Sequence, residues 1–594
     1  MRFTYAQPIS PRQEMTVQFK GLNKTLSAQD GEFSAMQNMT GDHFPVLSPR
    51  LKRLKCHTFF KYNGMYGKDK LLWVDGQYLY YDGQQVPGVV LEDSEKTFVG
   101  MGAYVLIFPD RKVFNAYAYE TGDDENIISS INASFTAPGD VTFQMCDAQG
   151  NVYVYGSGTE PPADPPPQAG DYWMDTSGEF KSLKKYSSVL DEWTAVATSH
   201  VMIGCPGIGA NFKQYDSVEI TGAGDKQFNT SHILEQVNNN WIVVTGILAG
   251  NTTQTYSPGS PVTVKRECPA MDYFTECSNR VWGCSSAAHE IYACRQGDPY
   301  NWRAYEGLSS DSYAVTVGTD GAFTGAAIIG GYPVFFKENA IHKIVGTVPA
   351  NFALSVTQFP GVQYGSGKSL AYVGGVLIYK AVSGVMAYDG GRPAEISKAL
   401  GNEAYGAAVG GSVNSKYYVS MRDANEDYHL FVFDMNTGLW FREDGTRALQ
   451  FIRCRNDTFF VADHVLWAIT RDDMATSFNE VEEGYDPGPP ATVAPLAWYA
   501  ETGDILWLEP DKKHLQKLQV KFQLAAGSAF AVHVQYDSSG TWEQVLALSA
   551  AGKRATHSIP LVPRRCDYFR VRLSGAGDVK VYGLYKTYTK GSDM

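Results

Sequence analysis

From about Cys56 the chain reads as short runs of alternating apolar and polar residues broken by turns. TFFKYNG, KLLWVDGQYLYYDGQQV and KTFVGMGAYVLIFPDRKVFNAY each predict strand, turn, strand, because a period of two sets one face of a strand on a core. Asp75-Gly76 and Asp82-Gly83 predict tight hairpins between those strands. The rhythm returns after about residue 270, in FTECSNRVWGCSSAAHEIYACR, AAIIGGYPVFFKENAIHKIVG, SLAYVGGVLIYKAVSGVMAYDGG, YYVSMRDANEDYHLFVFDMNTGLW and QFIRCRNDTFFVADHVLWAIT. Each unit runs roughly 30–45 residues with two to four strands, the period of propeller blades, whose sheets cover one another's apolar faces.

Three stretches depart from that rhythm. Residues 125–268 carry a proline cluster, EPPADPPPQAGDYW, then further hairpin patterns, and predict one or more small β modules inserted between blades. Residues 472–494 are acidic and rich in Pro and Gly and predict a linker; residues 495–594 alternate cleanly and predict an antiparallel β-sandwich. Residues 1–55 predict an extended arm, with one short helical turn at Ser34 to Asn38 and a turn at Gly41. The expected fold is therefore all-β: a β-propeller over 56–124 and 269–471, inserted β modules and a C-terminal β-sandwich.

Composition agrees with that class. The 594 residues include 36 Tyr, 30 Phe, 11 Trp and 58 Gly; aromatics suit half-buried strands and Gly suits tight turns. The net charge of -13 argues against a protein that grips nucleic acid, which needs clustered Lys and Arg. It is compatible with a wall past which DNA slides, since negative charge repels phosphates. Nine Cys without tight spacings predict buried thiols in a protein made in a reducing cytoplasm. The opening MRFTYAQPISPRQEM lacks an apolar run, and no stretch of about 18 apolar residues occurs, so neither a secretory leader nor a membrane span is expected.

Candidate chemistry is sparse. Gly367-Lys368-Ser369 matches the end of a phosphate-binding loop, but Val362 replaces its first Gly and a strand pattern follows where a helix is needed, which predicts a connecting loop. Asp423, Asn425 and Asp427 have calcium-loop spacing, but Tyr428 and Met435 stand at the positions of the required Gly and Glu, which predicts a polar hairpin. Cys268, Cys277, Cys284 and Cys294, with His289 among them, are too widely spaced for a usual zinc site. No G-x-S-x-G elbow is present. Trp73, Tyr78, Tyr80 and Tyr81 predict core packing before a sugar platform. The short basic runs at Arg50 to Arg53 and Pro563 to Arg565 predict solvated turns or salt-bridge partners, or orienting charges at a subunit interface. No catalytic residue, cofactor or metal is assigned.

The N-terminal pattern GLN (Gly21, Leu22, Asn23), GEFSAMQNM with Gln37-Asn38, and LSPR ending at Arg50 resembles the opening of phage tail nozzle proteins, also called tail hub or packaged-DNA stabilization proteins of short-tailed phages. NRVWGCSSAAHEIYACRQGDPYNW (Asn279 to Trp302) resembles their blade, and DSSGTWEQV, IPLVPRRCDYFRVRL and the final KGSDM are similar to the C-terminal end of related proteins. The insert is not covered. The resemblance implies a non-enzymatic virion protein of the tail: a homo-oligomeric ring, usually sixfold, below the portal and its adaptor, contacting tail fibres or spikes, with genomic DNA retained above and ejected through its channel. It also suggests Gly21, Leu22, Asn23, Gln37, Asn38 and Arg50 as assembly residues, docking on an adjacent subunit or the adaptor. Two other classes stay open. A receptor- or glycan-binding tail component predicts saccharide binding by the insert, and a glycan-cleaving propeller enzyme predicts turnover that depends on two facing carboxylates.

Overall fold

A computed structural model describes residues 10–26, 28–470, 495–550 and 553–590. The expected linker at 472–494 and the Gly591–Met594 end of KGSDM lie outside the described residues. The fold is all-β, a β-propeller with inserted β modules and a β-sandwich. Among the described residues seven four-stranded sheets have the blade pattern, with strands in sequence order: 62–90, 97–130, 273–316, 325–357, 371–395, 408–442, and 450–470 completed by Leu54–Thr58. That last sheet takes its fourth strand from a segment ahead of the first blade, with Val465 opposite Thr58. The predicted hairpins form: Leu71–Asp75 pairs with Tyr78–Tyr81. Asp82 and Gly83 both take positive φ, 52° and 81°, as a two-residue turn matching strand twist requires.

The chain divides into two compact units. One comprises the described residues within 1–96, 336–341 and 357–594; the other comprises 97–335 and 342–356. In the second unit the insert is smaller than expected. Ile128–Ser130 is the fourth strand of the 97–130 sheet, paired with Lys112–Asn115, so the inserted chain begins after it and not at 125. The insert packs two sheets, built from strands between Ala133–Thr136 and Thr263–Arg266, around Phe143, Val201, Ile203, Ile220, Phe228, Ile242 and Val264. A further four-stranded sheet, Tyr155–Gly158 to Glu192–Ala195, is nested within it and carries the proline cluster in its first connection. The two ends of the insert are clipped together by Arg266, which pairs with Asp216 and donates from Nε to the Ile131 carbonyl at 3.0 Å. Asn301, in the Gly-Asp-Pro…Asn-Trp run, receives the Ser217 N–H at 2.7 Å. Trp302 beside it is 1% exposed and donates its indole N–H to the Pro299 carbonyl at 3.0 Å.

In the first unit the sandwich is two sheets. One runs Arg12–Thr16, Val579–Lys590, Lys513–Leu524, Lys553–Pro560; the other runs Phe33–Gln37, Ala497–Thr502, Phe569–Ala576, Ser528–Tyr536, Glu543–Ala550. The first strand of each sheet comes from the N-terminal segment. The expectation of an extended arm at 1–55 is therefore corrected: the segment supplies an edge strand to both sandwich sheets, and where a helical turn was expected at Ser34 to Asn38, Ser34 to Gln37 is strand and Asn38 a bend after it. FSAMQ is built from residues that favour helix or are neutral, but pairing with Ala497–Thr502 overrides that weak preference. A bulge between Phe33 and Ala35 lets both Phe33 and Met36 face the core despite their spacing of three.

Candidate functional site

The residues singled out in the N-terminal segment converge on one seat in the first unit, made by the 408–442 sheet, the chain just after it and the sandwich. Gly21 has φ +79°, and a Cβ there would lie 2.5 Å from the Trp440 carbonyl oxygen. That same oxygen receives the Leu22 N–H at 2.6 Å. Leu22 is 2% exposed, in a core shared by Phe19, Phe33, Met36, Trp440, Phe441 and the sandwich interior. Asn23 closes a local turn: its Oδ1 accepts from the Thr25 N–H at 3.0 Å and its Nδ2 donates to Glu32 at 2.7 Å. Gly21→Ala is expected to destabilise the first unit by about 1–3 kcal/mol, from left-handed strain and the clash with backbone. Chemical denaturation checks this; an unchanged midpoint would refute the close approach.

Gln37 pairs with Tyr499 in the sandwich sheet. Asn38 follows in the left-handed region, φ 55°, which Asn tolerates better than most residues. Its N–H donates to the Glu443 carbonyl at 2.6 Å and its side-chain amide donates to the Ala497 carbonyl at 2.8 Å. Its Oδ1 accepts from Arg50 Nε at 2.9 Å. Behind it lies a buried ionic cluster. Arg53 donates to Glu443 at 2.6 Å and pairs with Asp444 at 3.0 Å; Arg50 lies 3.5 Å from Glu443 and 3.3 Å from Asp444. The Arg53 guanidinium also sits over the Phe460 ring, 5.0 Å from its centroid. A second ionic tie holds the other end: Lys586, fully buried, donates to Thr16 Oγ1 at 3.1 Å and Asp30 at 2.6 Å.

Burial alone would raise the Asp444 carboxyl, but the Arg53 and Arg50 charges and hydrogen bonds from Thr446 outweigh it and hold it down at about 2. Burial likewise works against the Arg53 cation, and the two carboxylates overcome it, so its pKa stands above the ordinary value. Because the folded Asp444 pKa lies below the unfolded one, its stabilisation is complete above about pH 4 and lost as pH falls through about 2. Urea melts of wild type and Asp444→Asn should differ by about 2 kcal/mol above pH 4 and converge near pH 2. A difference independent of pH would show that Asp444 acts by packing alone.

Gly21, Leu22, Asn23, Asn38 and Arg50 are thus held by contacts within the chain, and Gln37 by its strand pairing. Sequence reading singled out Arg50 and Arg53 and named an acidic neighbour as one option, but it missed Glu443, Asp444, Asp30 and Lys586. The cue was the Glu443-Asp444 doublet ending a strand pattern, nearly four hundred residues away.

The other motifs have structural uses. Gly367–Ser369 forms a single 3-10 turn followed by strand Ala371–Val373. Ser366 and Ser369 accept the Ala408 and Lys380 N–H groups, both at 3.0 Å. Asp423 accepts from the Asn425 and Asp427 N–H groups at 2.8 and 3.0 Å and contacts His429 at 2.9 Å, the expected polar hairpin. Cys268 and Cys294 fall in one apolar cluster and Cys277 and Cys284 in another, and burial pushes the Cys294 thiol up to about 12. Trp73 and Tyr81 are buried, Trp73 stacks on Tyr80 at 5.6 Å, and Tyr78 is exposed. Arg564 pairs with Glu543.

The fold defines a propeller protein with a terminal β-sandwich. No protein-family model matches the chain, and no curated protein matches it. Among solved structures, it is similar to Hsv2 of Kluyvelomyces marxianus, with 9% identity over 59% of this chain and 95% of that one and a TM-score of 0.23. It is also similar to the Trypanosoma rangeli sialidase, with 8% identity over 97% of each chain and a TM-score of 0.21. An engineered glycoside hydrolase shares 8% identity over 54% of this chain and 97% of that one, with a TM-score of 0.19. Likeness at this level carries no argument about function.

Proposed function

We propose that this chain is a structural virion protein, the subunit of a ring-shaped phage tail nozzle or hub through which DNA is retained and then ejected. The observation that carries the reading is the seat described above. Gly21, Leu22, Asn23, Gln37, Asn38 and Arg50, which carry the resemblance, form one connected set of core, turn and ionic contacts, so the motif is a structural unit and not a scatter of matching letters. Their role in assembly is then indirect: they fix the sandwich and the 408–442 sheet, whose outer surfaces meet neighbours. The net charge of -13 suits a channel that DNA passes without sticking. A ring requires heterologous interfaces that close. Light scattering of the purified protein, alone and with a portal adaptor, tests the proposal together with negative-stain images. An open-centred ring in either sample supports it; a monomer in both refutes it.

A second reading, a glycan-binding tail component, is favoured by one feature of the nested sheet. Register places Trp173, Lys184, Tyr186 and Trp193 on one face, where Trp173 is buried and Tyr186 and Trp193 are half-buried. The Trp173 and Trp193 ring centroids are 5.9 Å apart, Tyr186 and Trp193 are 5.4 Å apart, and Lys184 bridges Trp173 and Asp175. Saccharide binding by the full chain that is lost in Trp193→Ala would favour this reading.

A further inference from the structure

A cavity of about 420 Å³ opens in the first unit, lined by the 371–395 sheet, Met421 of the 408–442 sheet and the loop 397–405. Its volume lies in the range of small-molecule sites, roughly 300–1,000 Å³. Lys380 lines it and is 2% exposed. The Lys380 ammonium donates to Gln363 Oε1 at 2.6 Å and to the Ala381 carbonyl at 2.5 Å, both neutral. An ammonium has three N–H donors, so one is left without a protein acceptor among the described residues.

Neither carboxylate in the lining pairs with Lys380. Glu403 is bound by the Lys24 ammonium and by the Tyr405 hydroxyl at 2.6 Å, and Glu395 accepts from Ser397 Oγ at 3.2 Å. Burial pushes the Lys380 pKa down to about 8, with no carboxylate acting to raise it. A buried cation without a counter-ion is costly, and one that lines a cleft marks a candidate ligand site. The rest of the lining offers the opposite chemistry: Ser383, Asn402, Glu395 and Glu403 accept hydrogen bonds.

We propose that this cavity binds a small hydroxylated organic carboxylate, with the carboxylate on the Lys380 ammonium and the hydroxyl groups on Ser383, Asn402, Glu395 and Glu403. The cation supplies affinity for the acid group; the acceptors at the other side select for hydroxyls over a second anion. The inference is independent of the nozzle reading, since a negative titration leaves ring formation untouched.

Calorimetric titration of the full chain tests it, with glucuronate as probe and glucose, acetate and inorganic phosphate as controls. Glucuronate should bind at least about tenfold more tightly than glucose or acetate, the worth of one charge-assisted contact. Lys380→Met should weaken glucuronate about tenfold or more while leaving the fold intact, because it replaces a buried charge by an apolar chain of similar length. Ala404→Trp, which fills the lining and keeps Lys380 in the chain, should abolish binding and keeps the test decisive if Lys380→Met folds poorly. Equal binding of glucuronate and glucose, no binding of glucuronate, or full binding by Ala404→Trp would each overturn the proposal. Phosphate binding as tightly as glucuronate would make this an inorganic anion site and overturn the assignment to carboxylates.

Discussion

Glu443→Ala is expected to destabilise the first unit by about 3–5 kcal/mol, the usual cost of removing one partner from a buried ion pair. Glu443 is 3% exposed, Arg53 and Arg50 are each 8% exposed, and Glu443 faces both guanidinium groups. Its loss leaves two buried cations with one carboxylate, Asp444, between them. Desolvation of an unmatched charge outweighs the packing lost with one methylene group. Glu443→Gln keeps the volume and the acceptor oxygen but not the charge, and should cost less than Ala. Hydrogen exchange of peptides from the first unit gives the reading directly, because those from 97–335 serve as an internal reference. A loss under about 1 kcal/mol would show that water reaches the cluster and screens it as at a surface.

What could be read from the chain follows from the range over which each element is determined. Hairpins are local: alternation plus Asp-Gly is sufficient to place them, and the turn at 82–83 forms as expected while the first hairpin turns at Gly76 and Gln77, one residue later than expected. The sandwich core strands, such as Lys513–Leu524 and Val579–Lys590, alternate over their own length and were equally legible. The N-terminal strands were not. Phe33–Gln37 has no alternation of its own because a bulge breaks it, and its partner lies more than four hundred residues away. The strand Leu54–Thr58 has the same difficulty, completing a sheet whose other strands begin at Gln450. The ionic cluster shows the limit for side chains: Arg50 and Arg53 were visible as a basic run, but whether such a run is solvated or buried depends on a partner that local sequence does not identify.

A chain beginning at residue 54, which keeps the closing strand Leu54–Thr58, is expected to lose cooperative structure in both the sandwich and the 371–442 sheets. An arm that merely docked on a neighbour could be removed with the blades intact, and this segment cannot. Residues 10–53 bury Phe19, Leu22, Phe33, Met36, Met39 and Leu47, each 4% exposed or less. At about 1.5–3 kcal/mol for each fully buried side chain, their removal withdraws about 9–18 kcal/mol of favourable burial. That is comparable with the whole stability of a typical domain, about 5–15 kcal/mol. Deletion also spares the entropy of ordering the segment, which offsets part of this loss. Three further costs have no such offset. Glu443 loses Arg50 and Arg53, Lys586 loses Asp30 and Thr16, and the Val579–Lys590 and Ala497–Thr502 strands become open edges. Limited proteolysis and hydrogen exchange should therefore show rapid cleavage and lost protection in 371–442 and 495–590, while 97–335 keeps its protection. A synthetic peptide spanning 10–53, added in trans, should restore part of that protection, because the edges and buried charges it meets are already in place. A truncated chain with native exchange in the sandwich would mean that the segment is dispensable to the fold, and would return it to the role of an arm that docks on a partner.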